Sequence, residues 1–335
     1  MKNFIYLALS CFVISSSFAA APKKPYEIRW VLAHEPIGLF KEAADVFSKE
    51  VSANSHGQIK VEVLTLPEYV VKYNKGKEVK NKDFLALLRD GHIQMSQTYT
   101  TDLGKLSQSL YVLDLPFLFR SHDHAKKVLE GEIGDKLLAS LTPSNIRGLA
   151  FTYSGGYRVI PGTKRIDKLE DFKGMKIRTS ASPIAQETFN ALGATAVPMS
   201  LDGIDAGIKS GKIDEAESTY ARYFTLNQNK VAKIVNETNH SLFLTSIIVN
   251  DKFWNKLPKE YKEIMKTAAI NAARVERAHS IAGTEETKQR CVKEGVEVVT
   301  LNKTEEDKFK LAMEPVYKKF SPLVGADLIT SIQQQ

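Results

Sequence analysis

The chain has 335 residues, of which 43% are hydrophobic and 25% charged, without repeats or low-complexity tracts, so it is no disordered or fibrous polypeptide and is long enough for two cored domains. Two cysteines exclude a disulfide scaffold. The formal charge of +7 is carried by lysines spread along the chain rather than gathered in a patch, which argues against nucleic acid as a partner and leaves a mild positive field that concentrates anions.

Residues 1–20 read as a secretory signal peptide. Lys2 supplies a positive start, residues 4–14 form an apolar run too short to span a bilayer, and Ser17-Phe18-Ala19 is a small-x-small cleavage signal, placing cleavage near Ala19 or Ala21. A lipoprotein signal ending at Cys11 is the second reading, but the apolar run continues beyond that cysteine. Signal removal leaves Cys291 alone in a charged helical run, a bland thiol. No later segment is long or apolar enough for a membrane helix, so the mature protein is expected to be exported without direct membrane insertion.

Residues 26–33 read as a first strand and His34-Glu35-Pro36 as a loop. Phe40, Ala43, Ala44, Phe47 and Val51 then recur at helical spacing, and residues 59–66 alternate as a second strand. Residues 67–83, rich in lysine and tyrosine, read as a solvated loop, with a ligand lid or docking surface as the other readings. A helix over 84–90 precedes a strand near 91–96. Residues 97–101 then lie at the end of that strand, facing the expected cleft. Residues 113–119 form an apolar connection turned by Pro116, and Ser121 is placed to cap the next helix. His122 and His124, two apart, do not share a helix face and have no third ligand, so no metal site is read there. Residues 147–153 form a strand leading into Ser154-Gly155-Gly156, which lacks the dinucleotide-binding pattern. No cofactor is expected.

Met175-Lys176-Ile177-Arg178 alternates as a short strand. Ser182-Pro183 opens a helix that ends at Leu192-Gly193, and the chain is extended again through Val197. This strand–helix–strand rhythm predicts parallel pairing and puts Arg178 at a strand's carboxyl end, where open α/β sheets bind ligands. Leu201, Ile204 and Ile208 share a helix face. A long helix is expected from 260 to about 294, then a strand over 296–301, a helix from Thr304 and a polar tail.

The series Asp171-Phe172-Lys173-Gly174-Met175-Lys176-Ile177-Arg178, Leu192-Gly193-Ala194, Val197-Pro198-Met199 and Gly211-Lys212-Ile213-Asp214-Glu215-Ala216-Glu217 resembles the solute-binding proteins of tripartite ATP-independent periplasmic (TRAP) transporters. The likeness extends over about residues 25–330. It implies that Arg178 forms a salt bridge with a substrate carboxylate and that Arg158, 20 residues earlier, also touches the ligand. Ser218 matches a position often held by a hydrogen-bonding Asn, and Leu201 one that stacks on the ligand. Tyr99 and Thr100 fall where polar contacts occur, and His34 and Glu217 complete the candidate set. His240 reads as a structural histidine. Gly203, Ala181, Ser218 and residues 67–83 depart from the family pattern, so the pocket is expected to suit a different or less hydroxylated substrate than the sugar acids some members bind.

The expected fold is α/β, a two-domain periplasmic-binding-protein-like (type II-like) fold with a ligand cleft between domains and a long helix spanning both. Domain I is expected over 22–154 plus 241–283, and domain II over 155–240 plus 284–335. The expected function is that of a periplasmic receptor that binds a small organic acid and delivers it to the membrane subunits of a TRAP transporter. A ligand sensor for a signalling system would use the same module. An exported hydrolase would need a partnered nucleophile or acid pair. Asp214 and Glu217 can be read as an acid pair, but their place in a motif shared with a binding family argues against it.

Overall fold

The structure, a computed structural model, describes residues 24–80 and 83–335; the expected signal segment and Cys11 lie outside them. The strands are β1 (Tyr26–Leu32), β2 (Ile59–Thr65), β3 (Met95–Tyr99), β4 (Ile146–Gly162), β5 (Lys176–Thr179), β6 (Thr195–Pro198), β7 (Glu215–Ala216), β8 (Ser218–Thr219), β9 (Ile234–Glu237), β10 (Leu242–Asn250) and β11 (Glu297–Thr300). They follow the path β2-β1-β3-β10-β4-β7-β5-β6, with β8 and β9 also on β4 and β11 on β9.

Each end of this path is a small parallel α/β unit. β1 pairs in parallel with β2 and β3. The helix between β1 and β2, Ile37–Asn54, buries Phe40, Ala43, Ala44, Phe47 and Val51, the five residues whose spacing predicted it. At the other end β5 pairs in parallel with β6, Arg178 facing Val197, as the strand–helix–strand rhythm required. Ser182 caps the intervening helix Pro183–Ala191 by accepting the Ala185 N–H at 3.3 Å. Ser121 likewise accepts the His124 N–H, at 3.1 Å.

Two long strands join the units. β4 pairs with β10 over its first part and with β7, β8 and β9 over its last. Between them the β10 register shifts: Leu244 faces Tyr153, but Phe243 faces Gly156, so Ser154 and Gly155 bulge out. Gly155 has φ +90°, and a Cβ there would lie 2.6 Å from the Ala221 Cβ, so only glycine fits.

The helix Lys259–Lys293 runs alongside for 35 residues, about 52 Å at helical rise. Ala268, Ala269, Ala272 and Ala273 let it approach the core containing Trp30, Phe40 and Phe47. Near its far end Cys291 is buried in a second core with Val159, Tyr220, Tyr223 and Val235, and burial pushes its thiol up to about 11. The bland thiol is therefore a core residue, on the inward face of a run whose charges point outward. At mid-length the helix grips β4 just before the bulge: Glu276 accepts the Tyr153 N–H at 2.8 Å and Arg277 donates to the Phe151 carbonyl at 2.6 Å. The polar tail is helical, as Glu314–Val324 and Ala326–Gln333. It touches distant parts of the chain through Tyr317 to the Pro116 carbonyl (2.8 Å), His124 to the Ile332 carbonyl (2.8 Å) and Lys319 to Glu187 (2.6 Å).

Two expectations fail. The strand expected near 91–96 lies at Met95–Tyr99, because the chain turns through 91–94 before it pairs. Residues 66–73 are a helix, not loop. Thr65 and Glu68 form a reciprocal capping box, Pro67 occupies the first turn, and Tyr69 is buried (3% exposed), so local capping and one anchor outweigh the lysine-rich composition. Tyr73 donates to Glu62 at 2.6 Å and Lys72 pairs with the same carboxylate, which ties this helix to β2.

Candidate functional site

A cavity of about 560 Å³ opens where the carboxyl ends of β1, β3 and β5 converge. Residues 33–35, Tyr99, Thr101, Asp102 and Lys105 line it from one side, and Arg178, Ser180, Ala181 and residues 198–202 from the other. Four of the eight sequence-derived candidates, His34, Tyr99, Arg178 and Leu201, therefore face one space.

Arg178 is buried, and β5 holds it rigidly. Its Nε donates to the Met199 carbonyl at 2.9 Å and its Nη1 to the Glu217 carbonyl at 3.2 Å. Nη2 has no hydrogen-bond partner among the described residues, so the end-on edge of the guanidinium remains for an acceptor in the cavity. Burial pulls this guanidinium down to about 10, with Glu217 opposing, so it is charged at neutral pH.

Behind Arg178 lies a sealed cluster. The Arg158 guanidinium faces the Glu217 carboxylate at 3.1 Å without an aligned hydrogen bond, and it lies 3.6 Å from the Phe243 ring centroid. The other Glu217 oxygen is 3.4 Å from His240 Nε2, whose Nδ1 meets the Thr238 hydroxyl at 2.7 Å. Burial alone would raise the Glu217 carboxyl; Arg158, His240 and Arg178 outweigh it and hold it at about 2. Burial lowers His240, against the pull of Glu217. Asp114, which accepts the Ser182 hydroxyl at 2.7 Å, borders the same cluster and is pushed up to about 6 by burial, with Arg158 opposing.

The remaining candidates sit in the walls. The Thr100 hydroxyl donates to the Leu244 carbonyl at 3.1 Å, and the Ser218 hydroxyl to Gln228 Oε1 at 2.8 Å; neither borders the cavity. Tyr99 donates to the Glu35 carbonyl at 2.7 Å. His34 is 2.8 Å from the Thr98 hydroxyl and is lowered to about 4, by burial first and then by Arg222 and Lys105, so it is neutral at pH 7. Sequence reasoning missed Asp102, Lys105, Asp114 and Arg222. A lone acid within Leu113-Asp114-Leu115-Pro116 was a signal for Asp114; Arg222, between Ala221 and Tyr223, gave none. Among the described residues no cluster of three or more His, Cys, Asp or Glu could hold a metal ion.

Residues 34–322 match the family model of the bacterial extracellular solute-binding proteins, family 7 (DctP). The chain belongs to this family. The C4-dicarboxylate-binding periplasmic protein DctP of Rhodobacter capsulatus is 27% identical to it over 296 residues, 87% of this chain and 85% of that protein. The fold is equally shared. A TRAP periplasmic solute-binding protein from Ochrobactrum anthropi, with its C-terminus bound in the ligand-binding pocket, has a TM-score of 0.83 at 27% identity over 92% of this chain and 94% of that one. Another from Pseudomonas putida F1, with bound D-glucuronate, has a TM-score of 0.81 at 27% identity over 92% and 97%. The resemblance carried by the segment from Asp171 to Glu217 is thereby met, as is the expected two-part α/β fold with its long helix. The relatives named above are periplasmic solute-binding proteins by name. No helix among the described residues is long and apolar enough to cross a membrane.

Proposed function

We propose that the protein binds a small organic acid in the 560 Å³ cavity, closes around it, and delivers it in the periplasm to the membrane subunits of a TRAP transporter. The observation that carries this reading is the Arg178 guanidinium, immobilised through Nε and Nη1 with Nη2 left at the cavity. A planar fork of this kind matches a carboxylate in a way that lysine does not. We assign Tyr99, His34 and Leu201 to the walls that meet the ligand. Arg158 and Glu217 act behind Arg178, and Thr100 and Ser218 hold the walls in place.

One charge-assisted contact is worth roughly 1.5–3 kcal/mol, whereas micromolar affinity needs about 8 kcal/mol. Burial of the ligand as the two parts close supplies the remainder, and only a ligand that favours the closed form shifts that equilibrium. The moving bodies in this reading are residues 22–154 plus 241–283 and residues 155–240 plus 284–335, with β4 and the long helix crossing between them. The bound names of the relatives, a C4-dicarboxylate and D-glucuronate, support an organic acid as the substrate class. The protein itself carries out no chemistry on it.

The test is a thermal-shift screen of the mature protein, stripped of co-purified ligand, against organic acids with neutral sugars and amino acids as controls. A ligand at a hundred times its Kd adds about 2.7 kcal/mol, a rise of several degrees for a chain of this size. Stabilisation confined to carboxylates is the expected result. Stabilisation by neutral compounds alone would reject the carboxylate reading.

A further inference from the structure

A third arginine is buried beside the cavity without touching it. Arg222 lies on the short turn Tyr220–Tyr223 directly after β8 and is 2% exposed. Its Nη2 donates to the Glu35 carbonyl at 3.0 Å. The same oxygen accepts the Tyr99 hydroxyl at 2.7 Å and the Ser154 hydroxyl at 3.3 Å. Four segments thus meet on one atom: the loop after β1, the end of β3, the bulge of β4 and the turn after β8. Glu35 and Tyr99 are cavity wall in the first of the two bodies proposed above, and Arg222 reaches them from the second, on the turn after β8.

The charge of Arg222 is held in an unusual way. Its guanidinium carbon lies 4.4 Å from the Phe243 ring centroid and 5.0 Å from that of Tyr99, while Arg158 takes up Phe243 at 3.6 Å. No carboxylate hydrogen-bonds to Arg222 among the described residues, and its Nε has no partner. A desolvated cation supported by one carbonyl and two aromatic rings, with no carboxylate hydrogen-bonded to it, is costly to keep. Its position accounts for it. Tyr99 packs against His34 at 4.6 Å and Phe243 at 5.1 Å, so fixing the Glu35 carbonyl and the Tyr99 ring fixes a whole wall of the cavity. In a poorly screened interior a fixed positive charge one layer back still acts on an anion in the cavity.

We propose that Arg222 is a positioning residue for anion binding: it clamps the Glu35–Tyr99 wall across the boundary between the two units and adds a fixed positive charge behind the site. This rests on the carboxylate reading for its binding consequence, but not for its electrostatic one. The groups that face His34 are Arg222, Lys105 and Asp102, with Glu35 adjacent in the chain, and His34 reports the local field directly.

The experiment compares Arg222→Met, which keeps bulk and loses charge, with Arg222→Lys, which keeps charge and loses the planar fork. In ligand-free protein the His34 imidazole is titrated by NMR, its signal assigned by loss in His34→Gln. In Arg222→Met, His34 should titrate roughly half a unit or more higher than in the wild type, and in Arg222→Lys close to the wild type. Calorimetry with succinate and D-glucuronate should show affinity for whichever acid the wild type binds falling about tenfold in Arg222→Met, with partial recovery in Arg222→Lys. If Arg222→Met does not fold, Arg222→Gln is read in its place. An unchanged His34 titration in a folded, charge-free variant overturns the proposal, and so does unchanged affinity. If the wild type binds neither acid, the calorimetry uses whichever acid stabilises it in the thermal-shift screen; no stabilising acid in that screen, with His34 shifting as expected, counts against the carboxylate reading and not against the charge assigned to Arg222.

Discussion

Arg178 donates from Nη1 to the backbone carbonyl of Glu217 at 3.2 Å, and the carboxylate of that same Glu217 faces Arg158 at 3.1 Å. One residue therefore orients the arginine at the cavity through its main chain and neutralises the arginine behind it through its side chain. β5 and β7 bring this about, because Arg178 and Ala216 are register partners and Glu217 is the next residue.

Arg178→Lys should weaken binding of the cognate organic acid at least tenfold, and Arg178→Ala more, with the fold kept. An ammonium cannot hold both carbonyls and offer an edge to the cavity. Calorimetry on the two variants decides it; equal affinities in Arg178→Lys and wild type would remove Arg178 from the site.

Glu217→Gln should cost about 3–5 kcal/mol, because it leaves Arg158 buried without a counter-charge. It should also change the acid limb of stability. A Glu held at about 2 contributes stability that is present above its ordinary value near 4.5 and is lost as pH falls through 2. Denaturant midpoints measured between pH 5 and 2 should therefore fall less steeply in Glu217→Gln than in wild type.

Glu276 carries the opposite sign. Burial pushes its carboxyl up to about 8 while it accepts the Tyr153 N–H at the bulge of β4. Below pH 4.5 it is protonated in both folded and unfolded chains and has no effect. As pH rises towards 8 the unfolded chain ionises first, so native stability declines, at most by about 1.4 kcal/mol per unit. Glu276→Gln keeps an acceptor for Tyr153 and should be more stable than wild type at pH 8 but not at pH 4.5. Glu215, also raised to about 8 by burial, will keep part of the wild-type slope in the variant. Parallel stability–pH curves for the two proteins would show that Glu276 is not a buried neutral acid.

Gly162→Ala should destabilise the protein by roughly 3 kcal/mol or more. An added Cβ would lie 2.0 Å from Glu215 Oε2, and that carboxylate is pinned by the N–H groups of Thr163 (2.9 Å) and Lys164 (2.7 Å). Gly174→Ala has nothing within 4 Å of its Cβ, so its cost comes only from φ +77° and should be the smaller of the two. Chemical denaturation of both variants gives the comparison.

Much of the architecture was legible from local pattern. The apolar spacing from Phe40 to Val51, the caps at Ser121 and Ser182, the parallel β5–β6 pair and the 35-residue helix each follow from residues close together in the chain, where periodicity and capping chemistry operate. Arg178 at a strand's carboxyl end was legible for the same reason. The helix over 66–73 was hidden because a lysine-rich composition masked a capping box.

By itself the sequence determined the elements, their parallel units and the placing of one arginine at a strand end, because these depend on neighbours within a few residues. Only the tertiary structure decided which arginine faces the cavity, which faces a carboxylate and which rests on aromatic rings. Arg158, Glu217 and His240 meet from three segments, and Arg222 finds Glu35 across 187 residues of chain. The charge state of a buried group is set by whatever is packed within about 4 Å of it in a dry interior, and that neighbourhood exists only once the chain has folded.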